Sequence, residues 1–281
     1  MNRRSFLLAG LPALAISLAQ AGQRTEAGST YSMAVVPQFP AGLISRDWTP
    51  ILAEVGRQAG ITLQLRHYLT IPDFEAAFLK GEPDFAYMNP YHVVMANKAA
   101  GYLPIVHDRK QRLTGILVVR KDAIIRSLGD LDGAQIAFPA PNAFGASLYM
   151  RALLTEVAKV RFKPNYLTTH SNVYRHVLTG RALAGGAISQ TLEKESPEMQ
   201  GMLRVLYETP PASPHPVAAH PRVPARVREA VQNAFLRLGE DPAFAAALRD
   251  IQIPNPGRTD YGDYAPLARL GLERYVSLEK D

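Results

Sequence analysis

The chain has 281 residues, with 31 Lys and Arg against 25 Asp and Glu, a formal net charge of +6 and no cysteine. The missing cysteines exclude disulfides, thiolate nucleophiles, cysteine-bound metals and a lipid-anchoring cysteine. The basic residues are scattered, with Arg109-Lys110-Gln111-Arg112 the densest run. They form no stripe interleaved with aromatics, so no nucleic-acid partner is expected.

The amino terminus reads as a signal peptide over residues 1–21. Met1-Asn2-Arg3-Arg4 is a basic start, Phe6 to Leu18 an apolar run, and Ala19-Gln20-Ala21 a small-x-small cleavage pattern. Arg3-Arg4-Ser5-Phe6-Leu7-Leu8 fits a twin-arginine signal, although an ordinary secretory signal can also carry two arginines. The apolar run is shorter than the roughly 20 residues that span a bilayer, and no later segment is longer and equally apolar. A soluble protein in the periplasm is expected. The mild positive balance of the remainder suits a small anionic ligand.

Strands and helices then alternate, which predicts an α/β architecture with mainly parallel sheets. Tyr31 to Val36 reads as a strand closed by Pro37 and Pro40. A helix follows, with Trp48, Ile51, Leu52 and Val55 on one face. After a strand at Thr62 to Leu65, Thr70-Ile71-Pro72-Asp73 starts a helix through Phe74, Ala77 and Phe78. Asp84 to Met88 is a short strand, and Asn89-Pro90 opens a helix to about Ala100. Leu113 to Arg120 is a strongly apolar strand where the chain passes into a second lobe. Ala134 to Phe138 leads into the loop Pro139 to Gly145, followed by a helix with Tyr149, Leu153, Val157 and Val160 on one side. A helix from about Asn172 to Leu178 and a small-residue strand at Ala184 to Ile188 come next. The proline-rich stretch Thr209 to His220 reads as the return crossover. Two C-terminal helices start at Pro224 and Asp241-Pro242, the first with Val227, Val231, Ala234, Phe235 and Leu238 on one face.

Nothing in the sequence points to catalysis. The seven histidines lack H-x-x-x-H or H-E-x-x-H spacing, and neither a G-x-S-x-G elbow nor a G-x-x-x-x-G-K loop is present. No catalytic residue, metal site or cofactor is expected; His215 and His220, in a proline-rich loop, make a poor metal pair.

Several segments carry a family resemblance. Trp48-Thr49-Pro50 and Gly81-Glu82-Pro83-Asp84-Phe85-Ala86-Tyr87-Met88-Asn89-Pro90 resemble the first lobe of phosphate/phosphite/phosphonate-type periplasmic binding proteins. Leu128-Gly129-Asp130-Leu131-Asp132-Gly133, with Ala137-Phe138-Pro139 and Gly145, resembles the entry to that family's anion-binding loop. Thr169-His170 with Gly180, and Pro211 to Pro216, resemble two further segments. The resemblance covers residues 30 to 275. It implies a two-lobed type II periplasmic binding protein, two α/β lobes joined by a two-stranded hinge, with ligand between them. Residues 30–117 plus 212–281 would form lobe 1 and residues 118–211 lobe 2, with the crossovers near residues 115–122 and 205–215. The implied partners are a small anion and an ABC permease or, with the same fold, a membrane sensor kinase, and the protein would be a monomer.

The resemblance also nominates site residues. Asn142-Ala143-Phe144 matches a run that carries hydroxyls in phosphonate binders, at a helix start whose free amides favour an anion; here Asn142 also suits a helix cap. His170 matches a ligand histidine. His215 stands where phosphonate binders tend to have a proton-accepting aspartate. Phe74 and Leu113 replace ligand tyrosines, although Phe74 by itself suits the core. Gln190 falls near an acidic ligand residue. Tyr87, Asn89, Tyr91 and His92 follow the third strand at a switch-like position, where one or two are expected to face the cleft and the rest to support the helix start; Asn89 equally suits a cap before Pro90.

Overall fold

The computed structural model describes residues 28–277, so the signal read over residues 1–21 lies outside the described residues. The first lobe begins with β1 (Thr30–Val35), α1 (Ala41–Ala59), β2 (Thr62–Arg66), α2 (Ile71–Leu79), β3 (Phe85–Tyr87), α3 (Pro90–Ala100) and β4 (Leu103–Asp108). The second consists of β5 (Gly115–Arg120), β6 (Ala134–Phe138), α4 (Tyr149–Glu156), β7 (Phe162–Tyr166), α5 (His170–Leu178), β8 (Ala184–Ile188), α6 (Ser189–Glu193), α7 (Pro197–Met202) and β9 (Leu203–Glu208). The chain then returns through β10 (Val217–Ala219), α8 (Ala225–Glu240), α9 (Ala245–Asp250) and β11 (Pro256–Arg258).

Each lobe is built on its own sheet. The first has strand order β11-β4-β10-β3-β1-β2 and the second β7-β6-β8-β5-β9. The strands followed by helices, β1 to β3 and β6 to β8, run parallel, as βαβ crossovers require. Strand β4 escapes sequence reading because Pro104 interrupts its apolar pattern. It nevertheless lies inside the sheet, where a register shift opposite Pro104 accommodates the missing N–H.

The helices are buried as their patterns require. In α1 the face Ile44, Trp48, Ile51, Leu52 and Val55 is buried, and Gly60, at φ 71°, ends the helix in the left-handed region. In α8 the buried face is Val227, Val231, Ala234, Phe235 and Leu238, as the 3.6-residue period predicts. The expectation for α4 needs correcting. Val157 is 70% exposed, and Met150, Ala152 and Leu154 are buried instead. A π-helical turn, Phe144–Leu148, precedes α4, and its wider winding rotates the helix away from an α-only phase.

The chain crosses between sheets at residues 109–114 and 209–216. The expected outgoing position, 115–122, falls on β5 and the turn after it, within the second sheet, whereas the expected return at 205–215 begins in the last residues of β9 and overlaps the observed crossing over 209–215. The crossing segments pair: the N–H of Leu113 donates to the Ala212 carbonyl and that of Ala212 to the Leu113 carbonyl, each at 2.9 Å. Gly115, at the foot of β5, lies so close to the Gly145 backbone that any Cβ would collide with it. A Cβ on Gly145 would in turn meet Leu113 at 2.7 Å. The hinge therefore packs directly on the loop after β6.

A C-terminal turn, Leu272–Tyr275, makes a third tie between the lobes. Leu272 is buried in the core cluster that runs from the first lobe into the second, while Arg151 of α4 donates to the Tyr275 carbonyl at 2.7 Å. Among the described residues no helix is long and apolar enough to cross a membrane.

Candidate ligand site in the inter-lobe cleft

Segments from both lobes and a crossover converge on one small cavity. Lobe 1 contributes Gln38, after β1, and Asn89, after β3; lobe 2 contributes Ala143 to Ala146 and His170; the return crossover contributes His215. All of these but His215, which lies in the crossover just before β10, follow the carboxyl ends of strands, where open α/β sheets place their ligands. The cavity volume is about 10 Å³, roughly that of one water molecule, so the lobes are closed upon each other. Phe144 seals one side, stacked on Tyr91 at 6.3 Å and Tyr149 at 5.6 Å.

Thr169 caps α5, its Oγ1 accepting from the Asn172 N–H at 3.2 Å, and so holds His170 at the first helical position. The ring is buried, which pushes its pKa down to about 3. Its Nδ1 lies 3.3 Å from Thr191 Oγ1, which itself donates to the Ile188 carbonyl at 2.8 Å. Thr191 Oγ1 also lies 2.7 Å from Tyr174 Oη; when its proton rests on the Ile188 carbonyl, Nδ1 carries the histidine proton and Nε2 is an acceptor. His215 is also buried, and desolvation, with His92 and His170 nearby, lowers its pKa to about 3. Its Nε2 lies 3.0 Å from the amide nitrogen of Gln38, which can only donate, so the proton of His215 sits on Nδ1. The cavity is thus flanked by two neutral histidines of opposite character, one with an acceptor nitrogen left over and one with a donor.

Asn142 follows a different pattern. Its Nδ2 donates to Glu75 Oε2 at 2.8 Å and to the Ser277 carbonyl at 2.5 Å, and its Oδ1 accepts from the Ser277 N–H at 3.0 Å. Its own carbonyl accepts from Asn89 Nδ2 at 3.1 Å. Glu75 is only 2% exposed, and its Oε1 lies 2.8 Å from His92 Nε2. Asn142 therefore joins lobe 2 to α2 and to the C-terminal tail, and its side chain does not line the cavity. Asn89 does both jobs nominated for it: Oδ1 caps α3 by accepting from the His92 N–H at 2.8 Å, and the residue lines the cavity.

The remaining nominated residues lie elsewhere. Phe74 is fully buried in lobe 1, edge-on to Phe78 at 5.3 Å, and does not reach the cavity. Tyr87 packs between Trp48, at 4.8 Å, and His215, at 5.5 Å, supporting the histidine from behind. Its burial raises the phenol pKa beyond the physiological range. Gln190 donates to the Arg112 carbonyl at 3.1 Å and so braces the outgoing crossover. Leu113 packs on Gly145. Sequence reasoning missed Gln38 and Glu75. The position of Gln38 just beyond β1 was a usable signal, whereas Glu75 sits within an apolar run that gives no hint of its partners.

Comparison with known proteins agrees with this architecture. Residues 33–264 match the family described as ABC transporter, phosphonate, periplasmic substrate-binding protein. The chain belongs to that family. Members are substrate-binding proteins of ABC transporters and not enzymes, and their partner is a membrane permease. Among proteins of curated function, none matches the sequence significantly. Several solved structures share the fold. A binding-protein component of an ABC phosphonate transporter from Pseudomonas aeruginosa superposes with a TM-score of 0.78 at 14% identity, over 88% of each chain. PhnD1 from Prochlorococcus marinus, in complex with methylphosphonate, has a TM-score of 0.78 at 15% identity, over 86% of this chain and 97% of that one. A Xanthomonas citri protein bound to ATP has a TM-score of 0.72 at 15% identity, covering 88% and 98%. At these identities the likeness establishes the two-lobed fold.

Proposed function

We propose that this substrate-binding protein captures a small oxyanion of the phosphate, phosphite or phosphonate type, carrying one acidic proton, and presents it to its permease from the periplasm. The observation that carries this reading is the pairing of His170 with His215. An acceptor at His170 Nε2 suits the ligand's P–OH, and a donor at His215 Nδ1 suits a charged oxygen. The first-turn amides of the helical stretch that starts at Phe144 have no intrahelical partner, and the helix dipole favours an anion there. Gln38 and Asn89 line the cavity from the opposite lobe, with the Gln38 amide nitrogen on His215 and the Asn89 amide on the His92 N–H and the Asn142 carbonyl.

No Lys or Arg lines the cavity, so the anion would be held by hydrogen bonds rather than ion pairs. Hydrogen bonds to a charged group, at about 1.5–3 kcal/mol each, suffice for binding when several converge. The closed cavity cannot admit a phosphonate, so entry requires the lobes to part about the Leu113–Ala212 pairing. The signal over residues 1–21 would deliver the chain, as a monomer, to its compartment.

A thermal-shift series tests the reading. Methylphosphonate, phosphite or phosphate should raise the melting temperature through mass action. Methanesulfonate, which has no proton to give His170 Nε2 at neutral pH, should not. If none of the phosphorus oxyanions shifts the melting temperature, the reading is wrong.

A further inference from the structure

A second, larger cavity of about 320 Å³ opens beside the inner one, a volume within the range of small-molecule sites. It lies between the first turn of α2 and the loop after β6, so each lobe provides one wall. Ile71, Pro72, Pro139, Pro141 and Tyr166 make the greater part of its surface apolar, while Thr70, Asp73 and Thr168 line its polar side. Ile71 lines both cavities and is the partition between them.

The two cavities are consecutive along the same two segments of lobe 2. Residues 139–141 flank the outer cavity and residues 143–146 the inner one; Thr168 flanks the outer and His170 the inner. A group held at the Phe144 helix start and His170 therefore has its continuation running along Pro139 to Pro141, past Ile71. The outer wall is braced: Arg151 donates to the Pro141 carbonyl at 2.9 Å and lies over the Tyr166 ring at 5.9 Å. Proline fixes its own backbone dihedral, so this surface loses little freedom on covering a ligand. The inner site offers Ala143 and Phe144 where hydroxyls would hold a compact anion more tightly, which shifts discrimination toward the rest of the ligand.

We infer that the outer cavity is a subsite for the organic substituent of the ligand, and that the preferred substrates are phosphonates bearing an aryl or branched-alkyl group rather than the inorganic or methyl forms. The inference rests on the proposed oxyanion site. Burying a ring against Ile71, Pro72 and Tyr166 removes several CH groups from water, so a preference of about tenfold or more follows.

Calorimetric titration of the full mature chain with methylphosphonate and phenylphosphonate tests the subsite. Phenylphosphonate should bind at least about tenfold more tightly. In Pro72→Trp, which fills the outer cavity from a half-buried helix start, the preference should vanish while methylphosphonate affinity stays within about twofold. Tyr166→Ala, which removes part of the wall without adding bulk, should reduce the preference and serves if Pro72→Trp does not fold. Equal affinity for both ligands in the wild type, or a preference that survives both variants, overturns the subsite while leaving the oxyanion site standing. If neither ligand binds, the oxyanion reading falls, and the subsite with it.

Discussion

Asn142 and the two cleft histidines are buried polar groups at the same lobe boundary, yet they are satisfied in opposite ways. Every hydrogen-bonding atom of the Asn142 side chain is engaged by Glu75 or by the Ser277 backbone. Among the described residues His170 has only Thr191 as a hydrogen-bond partner and His215 only Gln38, which leaves each ring one nitrogen over. A polar group whose partners are all internal holds the structure together. One that is half satisfied is where a ligand can be met. The loop residue that matches the phosphonate binders' hydroxyl run thus acts as an inter-lobe tie, and the recognition we propose falls to the histidines.

Acid should expose the difference most strongly. The pKa of each histidine is about 3 in the folded state and about 6.5 unfolded, so the unfolded chain binds more protons between those values. The associated stability is complete above about pH 6.5 and is lost as the pH falls toward 3, at up to about 1.4 kcal/mol per pH unit for each ring. Denaturant titrations at stepped pH should show this slope, and His170→Phe should remove one ring's share of it, leaving that of His215. A slope unchanged by that substitution would mean that the ring is not held neutral in the fold.

The next effect concerns the tie. Asn142→Ala leaves Glu75 Oε2 buried without its donor, which should cost about 2–3 kcal/mol by urea unfolding. X-ray scattering should also show a larger radius of gyration, because α2, the tail and lobe 2 lose their common partner. Unchanged stability and compactness would make Asn142 a bystander. A smaller loss, about 1 kcal/mol, is expected for Thr169→Ala, which removes the cap of the helix that positions His170.

Much of this organisation was legible in the chain. Thr70 and Asn89 each precede an Ile or Pro helix start and do cap α2 and α3, because a cap is a local motif whose partner lies three residues away. The buried face of α8 was equally plain from its period. What was hidden depends on distant partners or on broken periodicity. Glu75 and Asn142 meet across 67 positions of sequence. Gly115 and Gly145 were separate glycines until the hinge brought their backbones together. The face of α4 was misread because one π-turn shifts the phase, and β4 was overlooked because Pro104 masks a strand interior. His170 and His215 could be nominated only by resemblance; their tautomers follow from Thr191 and Gln38, which no spacing rule connects to them.

The most direct test of the central claim is calorimetric titration of wild type and His170→Phe with methylphosphonate and methanesulfonate at neutral pH. Wild type should bind methylphosphonate and discriminate against methanesulfonate. His170→Phe should lose at least about tenfold in methylphosphonate affinity, the loss of one hydrogen bond to the ligand's acidic proton. Equal binding of the two anions by wild type, or methylphosphonate affinity untouched in His170→Phe, would contradict the assignment of the two histidines to ligand recognition.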